Sequence, residues 1–415
     1  MKRLMILGAG TAGTTIVNKL HRRMPAEWKI TVVDPAQDHV YQPGLLFVAV
    51  GKDDPRGLVK PLTDQLPDDV EFISAEVDRV DPEANHVILT NGEELSYDQL
   101  VIATGTTPRP DETPGMTENG WRSKVHEFYT LEGAIALRDA LAGFQGGRLV
   151  MHIAEMPIKC PVAPLEFTFL ANDLFEEKGI RDRVEITYVT PLPGAFTKPI
   201  AAEKLGGMLD QRRVGLESDF YVERIDDGEL ISFDERVVPF DLLVTVPINM
   251  GADFVARSGL GDELNHVRVD HHTFLATDHD NIFAIGDAAA LPTSKAGSAA
   301  HFEVDVFVDN FFDHIAGREL RHLYDGHVNC FVESGGGKAL LIDFNYETEP
   351  LPGVYPVPVV GPLRLLTEGR MNHWAKLAFE PLYWNILLKG RPLPVPTEMS
   401  MAGKVRPKEK EELPA

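Results

Sequence analysis

The chain has 415 residues, of which 44% are hydrophobic and 25% charged, which is enough for two or three domains around sizeable cores. Forty basic residues stand against sixty-three acidic ones, a formal charge of -23, which repels nucleic acid and argues against a broad phosphate-tracking surface. No apolar run reaches the roughly 18 to 20 residues of a transmembrane helix, and two cysteines, Cys160 and Cys330, are too few for a disulfide framework.

The N-terminus enters a strand at once, with no apolar segment and cleavage site ahead of it, so the expected location is cytoplasmic. "RLMILGAGTAGTTIVNKLHRRM" reads as an apolar strand, a turn with Gly8, Gly10 and Gly13 in G-x-G-x-x-G spacing, and a helix carrying Ile16, Val17 and Leu20 on one face. Glycines are needed there because a pyrophosphate must approach the backbone and the helix N-terminus closely. The next strand, "KITVVDP", ends in Asp34, an acid placed to bind ribose hydroxyls. "YDQLVIATGTTPRP" then runs an apolar strand into Ala103-Thr104-Gly105.

A second strand-helix-strand frame follows: "RLVMHIA", the helix "PLEFTFLANDLFEEKG" and "RVEITYVTP". It lacks the chemistry of the first. The turn after Ile153 carries Met156-Pro157-Ile158-Lys159 instead of glycines, and the second strand ends in Thr190-Pro191 instead of an acid, which argues against NADH as electron donor. Cys160 sits beside Lys159 and near a helix N-terminus, two features that favour thiolate; the alternative is a small buried hydrophobe. Glu166, on the first turns of that helix, is either a proton acceptor or a carboxylate stabilised by the helix dipole.

Further on, "NIFAIGDAAALPTSKAGSAAHF" is a strand ending at Gly286-Asp287, followed by a small-residue helix start, and Cys330 enters a strand leading to three glycines and Lys338. Near the C-terminus Met371, Trp374, Ala378, Leu382 and Ile386 recur at helical spacing among Arg364, Arg370, Lys376, Lys389 and Arg391, with Pro381 placed to kink or divide the helix. Apolar and aromatic residues flanked by bases suit an in-plane membrane helix or one packed on its own domain. The last residues, 401–415, mix proline and charge and read as a disordered tail.

The three nucleotide-binding segments, in this order, resemble the flavoproteins with two dinucleotide-binding domains. The resemblance implies an α/β fold of two Rossmann-like domains plus a C-terminal α+β region with amphipathic membrane-interface helices. The FAD domain would be discontinuous, 1–110 and 246–318, enclosing a second domain at 111–245 that lacks the NAD glycine loop; 319–400 would form the quinone and membrane region. Asp287 would hold the ribityl chain of FAD.

More narrowly, "KCPVAPLE", "PTSKAG", "NCFVESGGGKALLIDFNY" and "YQPGLLFVAVG" are similar to segments of sulfide:quinone oxidoreductases. That resemblance implies Cys160 and Cys330 as a redox pair oxidising sulfide to polysulfide or sulfur, Glu166 as proton acceptor, and Pro43 and Lys295 beside the flavin. Phe331, Lys338, Phe344, Tyr346 and Phe379 would approach a membrane quinone, and no metal is implied. A third cysteine common in the family is absent from "SKVHEFYTLEG", so FAD is expected to bind noncovalently. The implied protein is peripheral, on the cytoplasmic side of the membrane, and homo-oligomerisation is left open. Competing readings are the flavin subunit of a cytochrome-linked sulfide dehydrogenase, a type II NADH:quinone dehydrogenase, and a non-catalytic flavoprotein.

Overall fold

The computed structural model describes residues 1–357, 361–393 and 395–406. Five parallel strands form the first sheet, in the order Ile282–Ala284, Gln99–Ile102, Lys2–Leu7, Trp28–Val33 and Glu71–Ile73. Their apolar runs are buried on both faces, one against the helices Thr11–Leu20 and Gly297–Ile315 and the other against the antiparallel strands Val77–Asp81, His86–Leu89 and Glu94–Ser96. Between the strand Lys2–Leu7 and the helix Thr11–Leu20 the chain turns at Gly8, whose φ is +97°. A Cβ on Gly13 would lie 1.9 Å from the Gly8 carbonyl oxygen, so the helix can start this close to the strand only with glycine there.

The second sheet is also five-stranded and parallel: Val125–His126, Leu242–Val246, Gly147–Ile153, Val184–Val189 and Val214–Glu217. The helix Ala163–Glu177 covers it and packs against the strand Val328–Gly335. That strand forms an antiparallel hairpin with Lys338–Phe344, turned through Gly336 and Gly337 at positive φ. The hairpin belongs to a four-stranded C-terminal sheet with Gly361–Leu365 and Gly353–Val357. One hydrophobic core runs through the second sheet, the segment from Tyr41 to Leu58 and the C-terminal sheet, and takes in Cys330.

The C-terminal helical segment divides around Pro381 into Arg370–Leu377, Phe379–Leu382 and a wide π turn, Tyr383–Leu387. The expected apolar stripe divides with it. Met371, Trp374 and Leu377 are exposed, at 54%, 63% and 40%, whereas Tyr383, Trp384 and Leu387 are buried. Lys376, counted among the outward bases, turns into the protein instead. The tail expectation also needs correction over its first part. Val354 N–H donates to Gly403 O at 3.0 Å, Val405 N–H donates to Pro352 O at 2.8 Å, and the Lys404 ammonium pairs with the buried Asp343 carboxylate. Residues 407–415 lie outside the described residues. No helix among the described residues is long and apolar enough to cross a membrane.

Candidate active site

A cleft with an empty volume of about 1190 Å³ runs from the first glycine loop to the inserted domain and the C-terminal segment. Gly10, Gly105 and Gly297 line it, and a Cβ on any of them would meet no protein atom within 4 Å. Their bare backbone faces open space, as the approach of a dinucleotide requires. The hydroxyls of Thr104 and Thr106, also lining, are buried without a hydrogen-bond partner among the described residues, a deficit that a bound polar group would remove. Pro43, Ala103, Gly286, Asp287 and Lys295 lie along the same cleft. These residues fit FAD.

Gly8 and Gly13 shape the turn from behind. The Asp34 carboxylate is bonded to backbone, accepting from Ala9 N–H at 2.6 Å and Ala36 N–H at 2.8 Å, so it braces the glycine loop. Lys295 is buried and donates to the carbonyls of Asp287 at 2.8 Å and Ala289 at 2.9 Å. Burial lowers its ammonium below the usual lysine range, and the Asp287 carboxylate opposes that shift.

The Met-Pro-Ile-Lys-Cys turn does more than fill a lost nucleotide loop. It bends onto the FAD domain: Lys159 N–H donates to Asn249 Oδ1 at 3.1 Å and Cys160 N–H to Lys295 O at 2.5 Å. This brings Cys160 to the cleft wall, with φ at 51°, a left-handed conformation that costs a non-glycine residue on the order of 1 kcal/mol. Cys330, on the strand Val328–Gly335, is buried, and Cys160 lies near enough to raise its thiol electrostatically. Both cysteines are free thiols here.

The thiolate expectation is corrected by burial, which pushes the Cys160 thiol up to about 12, with Glu166 adding to the rise. Lys159 offsets this only in part; its ammonium donates to the Thr106 carbonyl at 3.4 Å, and its charge and that of Cys160 attract each other. The cation that lowers the Cys160 thiol most is Lys376, helped by the Ala163 N–H at the helix start. Burial also pushes the Cys330 thiol up, followed by the effects of Cys160 and Glu166.

Glu166 lines the cleft with its side chain buried. Its Oε1 accepts from Glu333 N–H at 2.7 Å and from the Lys376 ammonium. Burial raises the Glu166 carboxyl, and Lys376 opposes the rise. For Lys376, burial alone would lower the ammonium, but the charge and hydrogen bond of Glu166 hold it above the ordinary value.

Of the residues expected near a quinone, Phe379 lines the cleft. Phe331 follows Cys330, and its carbonyl lies 3.5 Å from Lys376 Nζ, but its ring does not line the cleft. The other three lie away from it. Lys338 is exposed at the hairpin turn, Phe344 is buried beneath the Lys198 ammonium, and Tyr346 donates to His271 O at 2.9 Å. Sequence reasoning missed Tyr383, whose hydroxyl lies 2.8 Å from Thr11 Oγ1 and 2.7 Å from His39 Nε2. It also missed Glu303, whose Oε2 accepts from Gly286 N–H at 2.6 Å. Neither lies in a local motif; the one available signal was the aromatic spacing around Tyr383.

A family profile for pyridine nucleotide-disulphide oxidoreductases matches residues 2–303. The paired dinucleotide frames and the cleft define an FAD-dependent oxidoreductase, and the chain belongs to the pyridine nucleotide-disulphide oxidoreductase family. Within that family it resembles the sulfide:quinone oxidoreductases over nearly its whole length. The mitochondrial sulfide:quinone oxidoreductase of Mus musculus is 26% identical, covering 93% of this chain and 86% of that protein. The mitochondrial protein of the same name from Schizosaccharomyces pombe is 28% identical over 93% of this chain and 90% of its own. The crystal structure of the Aquifex aeolicus sulfide:quinone oxidoreductase shares the fold, with a TM-score of 0.80 at 21% identity, covering 94% of this chain and 92% of that one.

Proposed function

We propose that this chain oxidises sulfide at the Cys160–Cys330 pair and passes the electrons through FAD to a quinone in the membrane. The observation that carries the reading is the convergence of Cys160, Glu166, Lys376 and Phe379 on one cleft with the dinucleotide-binding Gly10, Gly286 and Asp287. In the oxidised protein the two cysteines are joined through sulfur. Hydrosulfide attacks one of these sulfurs, a new S–S bond forms on Cys330, and Cys160 leaves as thiolate. The Lys376 ammonium is the cation that stabilises this anion, and Glu166 is the nearby carboxylate able to hold a sulfide proton. FAD, when bound, supplies a two-electron acceptor. Asp287 and the backbone at Gly10 and Gly105 would hold it without a covalent tether, both cysteines being committed to sulfur.

Quinone reaches the cleft beside Phe379, and the exposed Met371, Trp374 and Leu377 lie at the cytoplasmic face of the membrane with Arg370 among the headgroups. The NADH-dehydrogenase reading is disfavoured because the turn that would receive NADH is bent onto the FAD domain.

Anaerobic addition of sulfide to the yellow protein tests the proposal. Sulfide bleaches the flavin, a short-chain quinone restores it, and Cys160→Ser or Cys330→Ser abolishes both. A flavin that stays oxidised under sulfide refutes the reading, and bleaching by NADH instead favours the dehydrogenase. After acid precipitation the yellow colour is expected in the supernatant; colour retained on the polypeptide contradicts noncovalent binding.

A further inference from the structure

Behind the cysteine end of the cleft lies a row of titratable side chains that the sulfur chemistry does not itself use. Glu333 is on the strand of Cys330, with its side chain 1% exposed, and its two carboxylate oxygens lie 2.9 and 3.0 Å from His373 Nδ1. His373 stands on the helix Arg370–Leu377 beside the exposed Trp374, with 20% of its side chain open. Inward, the Glu333 N–H donates to Glu166 Oε1, which pairs with Lys376, a residue of the same helix as His373. The charged groups facing Glu333 are Lys376 and His373 from that helix, Lys52 from the loop after Leu45–Ala49, and Glu166 from the helix Ala163–Glu177. Burying several ionisable groups together costs free energy that an apolar core would not, and a path for protons is something an apolar core cannot provide.

We propose that His373 and Glu333 relay protons between solvent, at the face of the helix Arg370–Leu377, and the Glu166–Lys376 pair in the cleft. The inference rests on the sulfide:quinone reading, in which HS⁻ + quinone + H⁺ gives S⁰ + quinol. Sulfide loses two electrons and quinone gains two; one quinol proton comes from HS⁻ and the other must enter from solvent. His373 receives that proton at Nε2 and releases its Nδ1 proton to Glu333. The Glu333 carboxylate, which feels the Lys376 charge, would restore through a bridging water the proton that the Glu166–Lys376 pair gives to the cleft; its backbone N–H, bonded to Glu166, only fixes the strand against the pair.

The test uses the FAD-loaded protein with sulfide and a short-chain quinone, which removes vesicle binding from the assay. His373→Ala slows reoxidation by quinone about tenfold, more than it slows bleaching by sulfide, and imidazole in the buffer restores the rate in proportion to its concentration. A merely structural histidine gives no imidazole rescue, and that outcome overturns the relay. If the parent protein does not bleach with sulfide, the function reading falls and takes the relay with it, whereas bleaching without imidazole rescue overturns the relay alone. The isosteric Glu333→Gln is expected to slow reoxidation by quinone to a similar degree without imidazole rescue; an unchanged rate overturns the relay.

Discussion

Glu303 shows how much a single residue under the flavin site can govern. It lies buried on the helix Gly297–Ile315, and its carboxylate accepts the Gly286 N–H immediately before Asp287. Burial pushes it from 4.5 up to about 7, and the Asp287 charge adds to the rise. A raised carboxyl favours the fold while it is protonated. Its contribution is complete below the unfolded value and is lost as pH rises through the folded value, here between 4.5 and about 7. The loss is on the order of 3 kcal/mol. Glu303→Gln keeps an oxygen for the Gly286 N–H and removes the charge. Thermal unfolding of the FAD-saturated protein is expected to show the variant more stable than the parent at pH 8 and close to it at pH 5. Equal melting temperatures at pH 8 would place the charge elsewhere. Lys376 is the other residue whose environment decides its role: with Glu166 buried beside it, Lys376→Met removes the cation facing Cys160, and sulfide-dependent bleaching is expected to slow about 100-fold.

At the scale of elements, the C-terminal segment connects solvent to the dinucleotide loop. Its outer face carries Met371 and Trp374, while its inner end inserts Tyr383 between Thr11 and His39. The segment is tied down further by Asn18 Nδ2 donating to Leu388 O at 2.9 Å and Lys389 Nζ donating to Asp64 O at 2.8 Å. Burial pushes His39 down to about 4, so the ring is neutral across the physiological range. Tyr383→Phe deletes both hydroxyl contacts, worth about 1 kcal/mol each, and FAD release monitored by fluorescence is expected to quicken about tenfold to thirtyfold, in line with the loss of both. On the outer face, removing Met371 and Trp374 together by serine substitution is expected to lower co-sedimentation with anionic vesicles more than tenfold, since each large apolar side chain contributes about 1.5 to 3 kcal/mol when buried. Unchanged sedimentation would assign that face to a protein partner.

Across the whole molecule, the last described residues lock the sheet that carries Cys330. Lys404 pairs with Asp343, and His327 Nε2 lies 2.8 Å from the other oxygen of that carboxylate, with all three side chains almost fully buried. The His327 ring stacks on Phe302 of the helix behind the flavin site, with centroids 4.3 Å apart. Asp343 sits opposite Asn329, next to Cys330 in the hairpin. Lys404, the strand of Cys330 and the helix Gly297–Ile315 therefore share one buried cluster. Lys404→Met leaves a buried carboxylate with the imidazole as its only partner in that cluster and is expected to destabilise the fold by about 3 to 5 kcal/mol, visible as a lowered melting temperature. Gln substitution of Asp343 in the same background should recover part of the loss.

The sequence by itself determined the dinucleotide frame. The strand, the turn of Gly8, Gly10 and Gly13, the helix and Asp34 lie within one short stretch, and their steric requirement is local: Gly13 must clear the Gly8 carbonyl whatever the rest of the molecule does. The missing second glycine loop was legible for the same reason. Only the tertiary structure decided which distant residues meet. It turned Lys376 inward and left Trp374 outside, because an amphipathic pattern records that apolar area leaves water without recording which surface covers it. It placed Phe344 in the core and Tyr346 against His271, since an aromatic ring beside a motif carries no information about where its strand packs. It also raised the Cys160 thiol by burial, a desolvation effect set by neighbours from separate segments that no local spacing encodes.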